Sequence, residues 1–244
     1  MKNNITNIAV LVSGGGTNLQ ALIDAEKRGE LGNGKITLVL SSKPDVYALQ
    51  RAADNGIAAK VLSRKDYGDI SAYSRALADA LAEAKADLVV LAGFLTIIDE
   101  QVYERFPNRI LNVHPALIPS FCGKGYYGLR VHEAALEKGV KVSGATVHIV
   151  TPECDAGPIV LQKAVEVKES DLVASVKWRL YLRVIGYSHR PTGASMETAS
   201  EGNDAAFACM ERCQFECILI ALCAGVIEEK AIVLVSAQLT QTLC

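Results

Sequence analysis

Residues 8–22 read Ile8-Ala9-Val10-Leu11-Val12-Ser13-Gly14-Gly15-Gly16-Thr17-Asn18-Leu19-Gln20-Ala21-Leu22. The first five are apolar and partly β-branched, which suits a strand buried on both faces of a parallel sheet. The glycines that follow permit a tight turn and close approach of a ligand to the backbone. Thr17 or Asn18 is then placed to cap a helix whose free N–H groups face an anion. The loop lacks the Gly-Lys-Ser/Thr ending of an ATP-binding phosphate loop and the glycine spacing of a dinucleotide fingerprint. A small phosphorylated ligand fits it better than ATP or NAD. The alternative is an ordinary glycine-rich βα turn.

Outward from this stretch, the pattern predicts strands near 6–12, 36–41, 58–62 and 87–92, with helices near 17–29, 45–55 and 70–85 between them. In the third helix, Ala72, Ala76, Ala78, Ala80 and Leu81 mix strong helix formers with a small apolar face. Such alternation means an α/β fold, a Rossmann-like, mostly parallel central sheet flanked by helices with right-handed crossovers. Ligands in such sheets bind beyond the carboxyl ends of the strands. From about residue 100 the pattern changes to a short strand at 110–113, a long irregular loop at 115–128, a helix at 129–138, and strands at 142–150 and 158–167. No linker, low-complexity tract or repeat separates the two halves.

The segment Leu111-Asn112-Val113-His114-Pro115 carries the chemistry. Residues two apart in a strand share a face, so Asn112 and His114 present an amide and an imidazole side by side, and Pro115 ends the strand. An amide donor beside an imidazole can stabilise an oxyanion and move a proton at one carbon, as acyl transfer requires. A carboxylate such as Asp155 is expected to orient the imidazole and raise its pKa. Alone, the trio also fits a structural histidine at a strand end.

Composition narrows the class. The chain has 244 residues, half of them hydrophobic, and a formal net charge of −2, so no basic footprint for nucleic acid. Its longest apolar run, 217–227, is well short of the ~20 residues of a membrane span. Met1-Lys2-Asn3-Asn4 runs directly into the first strand without a signal-peptide pattern, and seven cysteines are an odd number. Together these predict a cytoplasmic protein with reduced thiols.

Five motifs fall in one order: Ser13-Gly14-Gly15-Gly16-Thr17-Asn18-Leu19, Val89-Val90-Leu91-Ala92-Gly93-Phe94, Asn112-Val113-His114-Pro115-Ala116-Leu117-Ile118-Pro119, Gly144-Ala145-Thr146-Val147-His148 and Asp155-Ala156-Gly157-Pro158-Ile159. In this the chain resembles the phosphoribosylglycinamide formyltransferase family, folate-dependent formyltransferases of purine biosynthesis, over roughly residues 5–170. The resemblance implies a formyltransferase domain at 1–171, with a phosphate-binding half at 1–100 and a catalytic half at 101–171, followed by an atypical C-terminal segment at 172–244. It implies transfer of a formyl group from 10-formyltetrahydrofolate, as co-substrate, to the amine of glycinamide ribonucleotide, without a metal. The implied partners are small molecules, not nucleic acid or membrane.

The same resemblance assigns residues. His114, Asn112 and Asp155 are implied as catalytic, with a protonated His114 and the Asn112 amide donating to the formyl oxygen. Backbone N–H groups of Gly16, Thr17 and Asn18 would hold the substrate phosphate. Leu91, Leu95, Thr96, Ile97, Ile98 and Asn112 would contact the folate, with Val150 to Asp155 completing its pocket. Thr96 stands where some members carry arginine. His148 is implied as a pocket-wall or structural residue, and His132, beside Glu133, reads as part of a solvated helix face. The loop Pro119-Ser120-Phe121-Cys122-Gly123-Lys124-Gly125-Tyr126-Tyr127-Gly128 suits either a cover that excludes water or a plain surface loop. Nothing near Cys122 in sequence marks it as a nucleophile.

The C-terminal quarter departs from the family. After Ser170-Asp171 the chain reads Leu172-Val173-Ala174-Ser175-Val176-Lys177-Trp178-Arg179-Leu180-Tyr181, without the family's Glu-His pair, although 172–185 still suits a helix. Lys177 or Arg179 is the available electrostatic substitute. Cys209, Cys213 and Cys217 lie four apart, an apolar helix stripe whose spacing matches no zinc motif. The alternatives left open are another 10-formyltetrahydrofolate enzyme, either a tRNA formyltransferase or a formyltetrahydrofolate hydrolase, and an inactive folate- or nucleotide-binding remnant.

Overall fold

The computed structural model describes residues 5–167. The tail features read above, including the 172–185 segment and the cysteine stripe, lie outside the described residues.

The strands are β1 (Thr6–Val12), β2 (Gly34–Ser41), β3 (Ala58–Val61), β4 (Leu88–Leu91), β5 (Ile110–His114), β6 (Val142–Ile149) and β7 (Ile159–Glu166). The helices are α1 (Thr17–Lys27), α2 (Tyr47–Asp54), α3 (Ile70–Glu83), α4 (Glu100–Arg105) and α5 (Leu129–Glu137). They form one seven-stranded sheet in the order β3-β2-β1-β4-β5-β6-β7. Pairing is parallel from β3 through β5, then antiparallel across β5–β6 and β6–β7. The expected Rossmann-like, mostly parallel sheet is therefore present, and the second half's strands extend the sheet of the first.

Alternation along the strands builds two apolar layers. Ile8, Val10, Val12, Val90, Leu111 and Val113 face one layer, which α1 and α2 complete through Leu19, Leu22, Ala48 and Ala52. Ala9, Leu11, Val89 and Ile110 face the other, closed by Tyr73, Leu77 and Leu81 of α3 and Val102 of α4. Strand order reverses between β1 and β4, which opens a crevice at their carboxyl ends. There the Leu95 N–H donates to Ser13 Oγ at 2.9 Å, tying the loop after β4 to the loop after β1, and Ser13 and Ser42 hydroxyls meet at 2.6 Å.

The structure corrects three local expectations. Helix α1 begins at Thr17 with Gly16, not Thr17 or Asn18, in the capping position, and no side-chain cap. Gly16 adopts φ 69°, and a Cβ there would stand 2.5 Å from Ala48 Cβ, so a glycine is needed both for the turn and for α2 to pack against it. The six-residue α4 was not expected; its signal is Asp99, whose carboxylate accepts from the Gln101 N–H at 3.1 Å. His132 is buried on α5 beside Val131 and Ala135, not solvated.

Candidate active site

Register brings the site together. Leu91 of β4 pairs with Asn112 of β5, which pairs with His148 of β6; one step along, His114 pairs with Thr146. Leu111, Val113, Ala145 and Val147 point into the apolar layer. By alternation Asn112, His114, Thr146 and His148 share the opposite face.

Asp155 reaches this face from the turn between β6 and β7. It holds a left-handed backbone (φ 56°), a conformation that Asp and Asn tolerate better than most residues. Its carboxylate accepts the Gly123 N–H at 2.9 Å and lies 3.5 Å from both His114 Nδ1 and His148 Nε2. His114 Nε2–H donates to the Phe121 carbonyl at 2.8 Å. The Ile149 carbonyl takes the Nδ1–H of His148 at 3.1 Å, which leaves Nε2 to accept from the Asn112 amide, also at 3.1 Å. Phe121 and Gly123 thus place the 119–128 loop directly over the histidine and the aspartate. Thr146 holds the start of that loop, accepting from the Ile118 N–H at 3.0 Å and donating to the Ala116 carbonyl at 2.7 Å.

Electrostatics correct one expectation. Burial lowers the pKa of His114 below its usual 6.5, although Asp155 and the Phe121 carbonyl pull the other way. This favours the neutral ring in the unliganded site, whereas the sequence reading expected a protonated donor. Burial also works against the Asp155 carboxylate, but His148, the Gly123 N–H and His114 hold its pKa below the ordinary 3.8. The Cys122 and Cys154 thiols are pushed up by burial and by Asp155, which fits an unreactive Cys122.

The remaining predicted residues divide. Gly16, Thr17 and Asn18 lie at the amino end of α1, where the first backbone N–H groups have no intrahelical acceptor. Leu91 is half-buried beside Asn112, and Leu95 and Ile97, in the loop after β4, are 60% and 76% exposed. Thr96 is half-buried. Ile98 is buried in the α3–α4 layer, and its carbonyl accepts from the Tyr103 hydroxyl at 3.0 Å. His148, expected as a wall residue, contacts two of the three predicted catalytic groups. Period-two alternation with Thr146 was its sequence signal, but the strand pairing that puts it beside Asn112 is not written locally. Among the described residues there is no cluster of three or more His, Cys, Asp or Glu that could hold a metal ion. No helix among them is long and apolar enough to cross a membrane.

A glycine loop at the reversal point of an α/β sheet, together with an amide and a buried His–Asp pair after the neighbouring strands, is an arrangement suited to acyl transfer. The formyl transferase profile matches residues 6–182, and the chain belongs to that family. It is 41% identical over 175 residues to phosphoribosylglycinamide formyltransferase of Escherichia coli, covering 70% of this chain and 80% of that protein. It is 39% identical to the chloroplastic phosphoribosylglycinamide formyltransferase of Arabidopsis thaliana, covering 73% of this chain and 64% of that one. Against the trifunctional purine biosynthetic protein adenosine-3 of Gallus gallus it is 38% identical over 83% of its own length but spans only 19% of that protein. The crystal structure of glycinamide ribonucleotide transformylase 1 from Symbiobacterium toebii superposes with a TM-score of 0.68 at 42% identity, over 73% of this chain and 81% of that one.

Proposed function

We propose that this chain transfers the formyl group of 10-formyltetrahydrofolate to the amine of glycinamide ribonucleotide, a step of purine (IMP) biosynthesis carried out in the cytoplasm. The observation that supports it most is the convergence of Asn112, His114, His148 and Asp155 on one sheet face beside the glycine loop. The division of labour is that residues 1–100 bind the phosphate while 101–171 carry the chemistry.

When bound, the folate supplies an activated formyl carbon. Exposed Leu95 and Ile97, with Leu91 and the backbone at Thr96 and Ile98, offer the apolar slot with polar edges that a flat heterocycle fits. Backbone N–H groups of Gly16, Thr17 and Asn18 hold the ribonucleotide's phosphate. One Asn112 N–H is committed to His148; the other is the donor for the formyl oxygen as charge develops there. His114, neutral at rest, takes the amine's proton as the new C–N bond forms and holds it against the ionised Asp155, and the proton then passes to the folate nitrogen as its bond to the formyl carbon breaks.

The deciding experiment is a formyl-transfer assay by absorbance on the purified full-length chain with both substrates. Turnover that vanishes in His114→Ala is expected. Release of formate with water as the acceptor would favour a hydrolase. Folate binding without turnover would leave a binding remnant in place of the enzyme.

A further inference from the structure

The loop between β1 and α1 is held from behind by α2. The Ala48 N–H donates to the Gly14 carbonyl at 3.3 Å, and Arg51 Nε–H donates to the Gly15 carbonyl at 2.9 Å. Both peptides are trans, the Ile118-Pro119 bond being the cis one among the described residues. In a trans peptide the C=O and the following N–H point in opposite directions. The two contacts therefore turn the N–H groups of Gly15 and Gly16 away from α2, toward the open side of the loop.

Arg51 is itself fixed for this task. Its Nη1–H donates to Gln20 Oε1 at 3.1 Å, and its guanidinium carbon lies 4.7 Å from the centroid of the Tyr47 ring. Gln20 is in turn oriented by its own bond to Asp24 Oδ1 at 2.9 Å. A planar fork already held on two sides loses little freedom in gripping one more acceptor. Its positive charge also stands directly behind a loop of N–H groups, where it favours an anion in front.

We propose that Arg51 is a positioning residue for phosphate: by gripping the Gly15 carbonyl it aims the Gly16 N–H at the phosphate of the substrate. This rests on the phosphate assignment above. Arg51 touches no reacting atom, so its removal acts on affinity for the phosphorylated substrate and not on the chemical step.

Two variants test it in the full-length chain. Arg51→Met keeps the stem and removes every donor, and Arg51→Lys keeps the charge with a single-point grip. In Arg51→Met we expect KM for glycinamide ribonucleotide to rise about tenfold, roughly the loss of one charge-assisted hydrogen bond, while kcat and KM for the formyl donor move by less than about twofold. Competitive inhibition by inorganic phosphate should weaken in parallel, and Arg51→Lys should recover part of both. With the unphosphorylated glycinamide riboside, Arg51→Met and the parent should differ little. Unchanged KM and unchanged phosphate inhibition would overturn the proposal. So would an equal loss with the riboside, because that marks a general structural role. If the parent chain does not turn over, the function assigned above fails separately. Calorimetric titration of inorganic phosphate into parent and Arg51→Met then still decides the role of Arg51: weaker binding by the variant supports it, and equal or undetectable binding by both refutes it.

Discussion

One of the two N–H bonds of the Asn112 amide is committed to His148 Nε2. That contact fixes which end of the amide is nitrogen, and in the proposed mechanism the second N–H serves the formyl oxygen. Asn112→Ala is expected to lower kcat by ~10²–10³, the usual loss for one oxyanion donor; near-normal turnover would remove Asn112 from the mechanism. Asp155→Asn is the sharper probe of the histidine. Asparagine tolerates the same left-handed backbone, so the substitution removes charge without forcing the turn. Without the carboxylate 3.5 Å away, burial acts on His114 with less opposition, so its pKa falls further below 6.5. The acid limb of kcat/KM, where His114 gains its proton, should therefore shift to lower pH in Asp155→Asn. A shift to higher pH would show that Asp155 does not stabilise the imidazolium.

Among the glycines within strands, Gly144 of β6 has the least room for a side chain. A Cβ on Gly144 would run into the Lys163 carbonyl oxygen of β7 and come within 2.5 Å of Leu117 Cδ2, at the root of the loop that covers the site. Gly144→Ala should destabilise by about 1–3 kcal/mol, as overpacking does. Tm should fall by roughly 2–4 °C for each kcal/mol lost. Gly14→Ala is the control: it meets open space and should leave stability within about 0.5 kcal/mol. A Tm equal to the parent's in Gly144→Ala would mean that β7 and Leu117 yield at no cost. The sequence is transparent where pattern repeats. The strands from β1 to β5 and helices α1 to α3 follow from apolar runs alternating with helical faces, and Asn112 and His114 from period-two alternation. It is opaque where structure depends on partners far along the chain. Helix α4 is too short to show a period. His132 sits at a helix position whose neighbour Glu133 is exposed, so its burial depends on what packs on α5. His148 acquires its contacts only through the β5–β6 register, and Ile98 turns inward because α3 and α4 close over it.

For the molecule as a whole, the buried His–Asp pair couples folding to pH, and the direction can be worked out. His114 is buried with its folded pKa below 6.5, so as pH falls past that value the unfolded chain takes up a proton that the folded chain still refuses. The unfolded state then binds more protons, and stability falls with acid. The contribution of His114 is complete above pH 6.5 and is lost as pH drops through the lower, folded pKa. Asp155 acts in the same direction in a separate window: its contribution is complete above 3.8 and is lost as pH falls through its lower folded value. In the proposed mechanism activity has a different threshold, because the acid limb of kcat/KM follows the proton of the folded His114. On acidification stability should therefore begin to decline while kcat/KM is still on its plateau. Urea midpoints measured from about pH 7.5 down to about pH 5, beside kcat/KM over the same range, check this order. In His114→Gln, which holds a neutral polar group at the same place, the slope of stability between those limits should flatten. A variant that kept the full slope would show that the protons responsible bind elsewhere, and that His114 is not the group through which this fold senses acid.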